Sequence, residues 1–284
     1  MTITTAIAAM GLMAADSSSR SPKLGAVVHA ACEWLATGVT WETRSQGACP
    51  WFGSGWPDLV NNVASKTGKL LLLAGMRFNV PEWIERAGAA AEFVCSEQRA
   101  DGGWIYALKS ERSPRATEVI DAKHTAYIIE GLLEIAKGRA VLPAPNVARI
   151  ESAIDRGLAF VDSTFCGEQQ LREKVWILTK SDLRKMHRRA RRSRAWPYRR
   201  ESGGCFMVLH PEEPRLWSLG ELLTLHAHAR EAGRAGLGGV HRILERVAEL
   251  ARGDGRFAFR RADDHVYARH EAHVFAGLAD LCFL

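Results

Sequence analysis

The chain has 284 residues, 47% apolar and 25% charged, with a formal net charge of +6. That balance excludes a disordered or fibrous protein, and a chain of this size buries a large core without disulfide staples. Six scattered cysteines without a CxxC pair point to buried thiols in a reducing, cytoplasmic setting, and no run of about 18 apolar residues marks a membrane span.

Residues 1–20 are apolar in the middle and Ala-rich, but no Lys or Arg precedes that stretch, as an export signal requires. They read as a loose N-terminal arm, followed by one domain over 21–284. Leu24–Leu35 reads as a helix. An aromatic-glycine turn follows (Trp51, Phe52, Gly53, Gly55, Trp56), and then a helix over Pro57–Arg77, whose proline suits a first helical turn.

The next unit is the clearest. Over Glu82–Gln98, Trp83, Ala87, Ala90, Ala91 and Val94 recur at helical spacing. The helix stops at Asp101-Gly102-Gly103-Trp104, where glycine supplies the freedom of a tight turn. Ala122–Lys137 forms the second helix, with Ala126, Ile129, Leu132, Leu133 and Ala136 on one face and Gly138 as its stop. A third copy has a helix over Val147–Phe165, an insertion at about 167–215 carrying Trp196, and a helix over Leu216–Ala232. A fourth has Val240–Arg252, a turn at Gly253–Phe259, and Tyr267–Phe283. Strand signals are few: Trp104-Ile105-Tyr106 and Phe257-Ala258-Phe259 read at most as short ribbons. A helical hairpin cannot bury its apolar face alone, so the copies must pack on each other. The predicted class is all-α, an α/α toroid of about four αα-hairpins.

Glu92–Trp104, with Gln98, Asp101, Gly102, Gly103 and Trp104, resembles the QW-type repeat of the terpenoid cyclase and protein prenyltransferase toroids. Arg156–Val161 is similar to the start of that repeat, and Asp254–Phe257 to a degraded end. Gln-x-x-x-Gly-Gly-Trp turns are also similar to those of toroidal polysaccharide lyases. The resemblance implies architecture rather than chemistry. An Asp-x-Asp-Asp acid motif, an Asp-Asp-x-x-Asp motif and the prenyltransferase zinc set have no counterpart here, so no cofactor or metal is expected.

Side chains at the starts of the second helices converge on one mouth of such a ring, which singles out three clusters. In the first, Asp121 is a candidate helix N-cap and catalytic group, and His124, one turn inward, an imidazole able to move protons near neutral pH, with Tyr127 behind it; the alternative is that Asp121 only caps and His124 packs as a satisfied histidine. The second contains Asp264, Tyr267, Arg269, His270 and His273. Arg269 can fork a carboxylate, Tyr267 or His270 can act as acid or base, and the alternative is a polar surface helix start. The third pairs Arg215 with Trp217 as a clamp for a charged ring, followed by Glu221. Trp56 and Trp196 are left between sugar stacking and structural packing, whereas Trp104 reads as structural.

A run of basic residues at 184–194 attracts polyanions or forms a solvated loop. Together these features suggest an enzyme acting on an acidic, uronate-type glycan by elimination, epimerisation or hydrolysis. The alternatives are a terpene-cyclase-like or prenyl-diphosphate enzyme, and a non-catalytic scaffold binding a polyanionic partner. The sequence leaves the oligomeric state open.

Overall fold

The computed structural model describes residues 1–19, 21–53, 55–108, 119–167, 171–179, 198–200, 205–209, 214–259 and 268–283. Among them the class is helical. The helices are α1 (Thr2–Ser19), α2 (Pro22–Glu33), α3 (Asn61–Phe78), α4 (Pro81–Ser96), α5 (Ala122–Lys137), α6 (Ala144–Thr164), α7 (Leu216–Glu231), α8 (Val240–Leu250) and α9 (Ala268–Phe283). Contacts divide the chain into two compact units, Met1–Thr117 with Tyr127–Arg156, and Glu118–Ala126 with Gly157–Leu284. Helix α5 therefore starts in the second unit and continues in the first.

In the first unit, α3 packs on α4, and α1 on α2 and α3. The expected loose arm is instead helix α1. Its alanines explain the difference, because Ala6 and Ala9 bury without a large entropic cost. Thr2 donates to the Trp51 carbonyl at 2.6 Å, and Asp16 pairs with Arg77 of α3.

The helix expected to begin at Pro57 begins at Asn61, and Trp56–Val60 is a strand. Strands β1 (Trp41–Thr43), β2 (Ala48–Gly53), β3 (Trp56–Val60) and β4 (Ala107–Leu108) form an antiparallel sheet in that order. Gly55, at φ 79°, turns β2 into β3, and the aromatic residues flanking it favour a pleated surface over a helix start. The QW-like turn ties helices together. Gln98 donates to the carbonyls of Gly102 and Ala153, both at 2.9 Å. The buried Trp104 indole donates to the Val94 carbonyl at 2.8 Å.

The interface of α3 with α5 in this unit is polar. Ser65 donates to the Ile128 carbonyl at 2.8 Å. Lys66 and Lys69 both bind the Glu130 carboxylate, Lys69 at 2.7 Å. Burial alone would raise the Glu130 pKa, but the two ammonium groups outweigh it and hold the carboxyl well below its usual range.

In the second unit α7 packs on α8 and α9. A second antiparallel sheet runs β5 (Val119–Asp121), β6 (Lys174–Thr179), β8 (Cys205–Leu209), β7 (Tyr198–Arg200). The insertion that breaks the helical rhythm thus supplies three strands. Val175, Trp176 and Ile177 in β6 have the β-branched and aromatic character that strands favour. The paucity of strand expected from the sequence is corrected by these two sheets.

Candidate functional site

The second unit gathers most of the described candidate side chains. Strand β5 delivers Asp121 to the first turn of α5. There one carboxylate oxygen accepts the His124 backbone N–H at 2.8 Å, and the other meets His124 Nδ1 at 2.6 Å. The expected cap is therefore also the partner of the imidazole. Burial alone would raise the Asp121 pKa, but His124 and Lys123 outweigh it through charge and hydrogen bonds, and the net shift is downward. In a neutral imidazole a carboxylate on Nδ1 favours the tautomer that carries its proton there.

The start of α7 supplies the next group. Lys123 Nζ lies 3.6 Å from the centre of the Trp217 ring, and the Arg215 guanidinium lies 5.8 Å from it and 6.0 Å from the Phe259 ring. The stretches around 121–124 and 215–217 are therefore brought together, with two cations on one indole. This makes Lys123, unremarkable in the sequence, a neighbour of both clusters.

A second carboxylate–imidazole pair sits one helical turn beyond Trp217. Glu221 on α7 meets His273 Nδ1 on α9 at 2.5 Å, with the carboxylate nearly buried and the imidazole partly exposed. The approach of the two helices depends on small residues. A Cβ on Gly220 would sit 2.4 Å from the His273 backbone carbon, and one on Gly277 2.5 Å from the Gly220 oxygen. No other residue type allows that crossing without displacement.

Glu173, just before β6, was missed by the sequence reading. Its carboxylate accepts the Arg215 backbone N–H at 2.9 Å and the Ser218 hydroxyl at 3.1 Å, and its backbone carbonyl accepts the Ala122 N–H at 2.9 Å. The residue is only 4% exposed. Burial, with the Asp121 charge adding to it, raises its pKa against the lowering contacts of Arg215 and Ser218. Flanked by Arg172 and Lys174, it reads in sequence as one charge of a solvated loop.

Of the other candidates, Trp56 and Tyr127 belong to the first unit. Trp56 is 58% exposed and stacks on Phe52 with ring centres 5.9 Å apart, whereas Tyr127 is buried with Lys66 Nζ 4.5 Å from its ring centre. Trp196, Asp264, Tyr267, the basic run 184–194 and the side chains of Arg269 and His270 lie outside the described residues. Cys32, Cys95 and Cys166 are buried, which pushes each thiol up to about 12.

No protein-family model matches this chain, and no curated protein matches it. Solved structures do. A protein from Klebsiella pneumoniae, described as a possible member of the GH105 family, aligns with a TM-score of 0.66 and 11% identity, over 96% of this chain and 69% of its own. A D-mannose isomerase aligns at 0.62 and 9% identity, over 99% and 70%. Cellobiose 2-epimerase from Bacillus thermoamylovorans aligns at 0.59 and 9%, over 99% and 71%. A polysaccharide lyase also matches, at 0.53 and 12%, over 95% and 71%. These likenesses show the fold. It is helical in class and of the α/α toroid type, in line with the sequence-based resemblance to toroidal polysaccharide lyases. None of the four is a terpenoid cyclase. Among the described residues, no helix is long and apolar enough to cross a membrane.

Proposed function

We propose that this protein is a carbohydrate-active enzyme that performs acid–base chemistry on an acidic, uronate-type glycan. The observation that carries the reading is the presence, in one compact unit, of two carboxylate–imidazole pairs flanking Trp217 and its two cations: Asp121–His124 and Glu221–His273. The fold type agrees with it, since the toroids matched include an isomerase, an epimerase and a polysaccharide lyase.

The C5 proton of a uronate is weakly acidic because the adjacent carboxylate resists the charge that builds up on its removal. Arg215 and Lys123 offset that charge. His124 Nε2 takes the C5 proton, with Asp121 stabilising the imidazolium. Elimination then breaks the C4–O bond and forms a C4–C5 double bond, and His273 gives a proton to the departing oxygen. In epimerisation the C4–O bond stays intact and His273 returns a proton to C5 from the other face. Hydrolysis of a glycosidic bond would use the same pairs, one as acid and one to activate water. The contact of His124 with Asp121 supports proton removal at carbon, because the carboxylate stabilises the imidazolium that forms.

Incubation with a panel of uronic-acid polymers and oligosaccharides in deuterated water tests the proposal. New ultraviolet absorbance marks elimination, and deuterium at C5 marks epimerisation. Release of saturated sugar without deuterium shows hydrolysis instead. No turnover of any acidic glycan, with turnover of a neutral sugar, would reject the acidic substrate.

A further inference from the structure

We propose that the groove between α1, α2 and the end of α3, in the first unit, is a binding site of its own, and that its ligand is a neutral sugar ring. The groove holds a cavity of about 450 Å³, lined among others by Asp16 of α1, Gly25, Ala26 and His29 of α2, and Arg77 and Phe78 of α3. That volume lies within the range of small-molecule sites. Asp16 is 2% exposed, so a buried carboxylate sits against the cavity. Its Oδ2 pairs with Arg77, whereas its Oδ1 has no hydrogen-bond partner. A buried charged oxygen left unmet is costly, and it calls for a donor from whatever fills the space beside it. None of the lining residues belongs to the second unit, and the proposal does not draw on the acidic-glycan reading.

The walls select the ligand. His29 meets the Phe78 ring edge-on, with centres 5.3 Å apart, and the buried Trp83 ring at 4.9 Å, so these rings are held in place. With Ala26 they offer apolar surface to the C–H face of a ligand. The polar part is an ion pair whose charges cancel. A cationic ligand would meet the Arg77 guanidinium, and an anionic one the unpaired oxygen of Asp16. A hydroxyl both donates and accepts. Neighbouring hydroxyls can donate to Oδ1 and accept from Arg77, whose contacts to the Met13 carbonyl and the Ser17 hydroxyl are long, at 3.5 Å each. A pyranose ring joins the two requirements, an apolar C–H face and adjacent hydroxyls. Gly25 keeps the space open. A Cβ there would sit 3.6 Å from Asp16 Oδ2, an ordinary contact, so packing does not demand glycine at this helical position, where glycine is a weak helix former. The cavity gives it a reason.

The test titrates the full-length protein with methyl β-D-glucopyranoside at constant pH and follows the His29 imidazole by NMR. The signal is assigned from its loss in His29→Gln, a change at an exposed position. Glucuronate and cyclohexylammonium serve as the acidic and cationic comparisons. The His29 signal is expected to move with the glycoside and to need much higher concentrations of the other two. Gly25→Leu fills the cavity from a position with room for a Cβ, and is expected to abolish the response. Asp16→Asn keeps the shape but loses the charge, and is expected to weaken binding roughly tenfold. A wild-type His29 signal unmoved by the glycoside means that water alone meets Oδ1, and overturns the proposal without any variant. The same response in folded Gly25→Leu protein overturns it too, and a tighter response to glucuronate or cyclohexylammonium rejects the neutral ligand. A glycan panel without turnover leaves this proposal standing, just as an unmoved His29 signal leaves the functional reading standing.

Discussion

Asp121 carries two jobs on two oxygens, and a single substitution separates them. One oxygen caps α5 through the His124 N–H at 2.8 Å, and the other holds His124 Nδ1 at 2.6 Å. Asparagine caps a helix as well as aspartate does, so Asp121→Asn is expected to keep the cap and to lose only the ionic contribution at pH 7. Asp121→Ala loses the cap and costs about 1 kcal/mol, a fall in Tm of about 2–4 °C for a chain of this size. Activity behaves differently. An amide cannot stabilise the imidazolium, so both variants are expected to lose about 10²–10⁴-fold in kcat/KM, the usual worth of a positioned general base. The pH dependence gives a further check. The folded Asp121 pKa lies below its unfolded value of about 3.9, so its ionic contribution is present above that value and lost as pH falls through the folded pKa. The stability difference between wild type and Asp121→Asn is therefore expected to shrink in acid. Thermal unfolding at a series of pH values, with steady-state rates on the active glycan, measures all of these. Asp121→Asn with wild-type rates would refute the assignment of His124 as the base.

The second pair is tested in the same way: His273→Gln is expected to leave the fold intact and to lower kcat more than it raises KM. In an epimerase it should also abolish exchange at one face of C5 while the other face still exchanges, which isotope labelling reads. Gly220→Ala places a methyl group against the His273 backbone and is expected to destabilise the second unit by about 1–3 kcal/mol in urea unfolding, with loss of activity. Removing Glu130 by Glu130→Ala leaves Lys66 and Lys69 as unpaired charges within the first unit. A loss of about 3–5 kcal/mol in urea unfolding at pH 7 is expected. Because the folded Glu130 pKa is depressed, that loss should diminish as pH falls below about 4. Replacing the basic residues of 184–194 with alanine is expected to leave kcat on a short oligosaccharide unchanged. The same change should weaken binding to a long acidic polymer, with a flatter dependence on salt; equal salt slopes would remove any polyanion role from that run.

The helices were legible because their signal is local. Ala122–Lys137 follows from the 3.6-residue spacing of its apolar residues and from Gly138, and the structure places the helix over the same residues. The sheets were not, because strand pairing rests on partners far apart in sequence: β5 pairs with β6 across a long stretch of chain, and β6 pairs with β8 inside an insertion whose charges suggest a solvated loop. Pro57 shows the cost of a purely local rule, since a proline suits both a first helical turn and a strand that follows a tight turn, and only the pairing of Trp56 with Gly53 decides. The site divides along the same line. Asp121 and His124, three residues apart at a helix start, were each visible as candidates, though the bond between the carboxylate and Nδ1 was not. Glu221 and His273 are separated by a long stretch of chain, and what joins them is the crossing of α7 and α9 at Gly220 and Gly277, glycines that carry no chemistry of their own. Glu173 lies furthest from reach, because its role consists of bonds to Ala122, Arg215 and Ser218, and a lone glutamate between Arg172 and Lys174 announces none of them. Residues whose function is to hold other residues leave no spacing pattern, so in folds assembled from repeated hairpins they are to be sought where inserted strands touch helix starts.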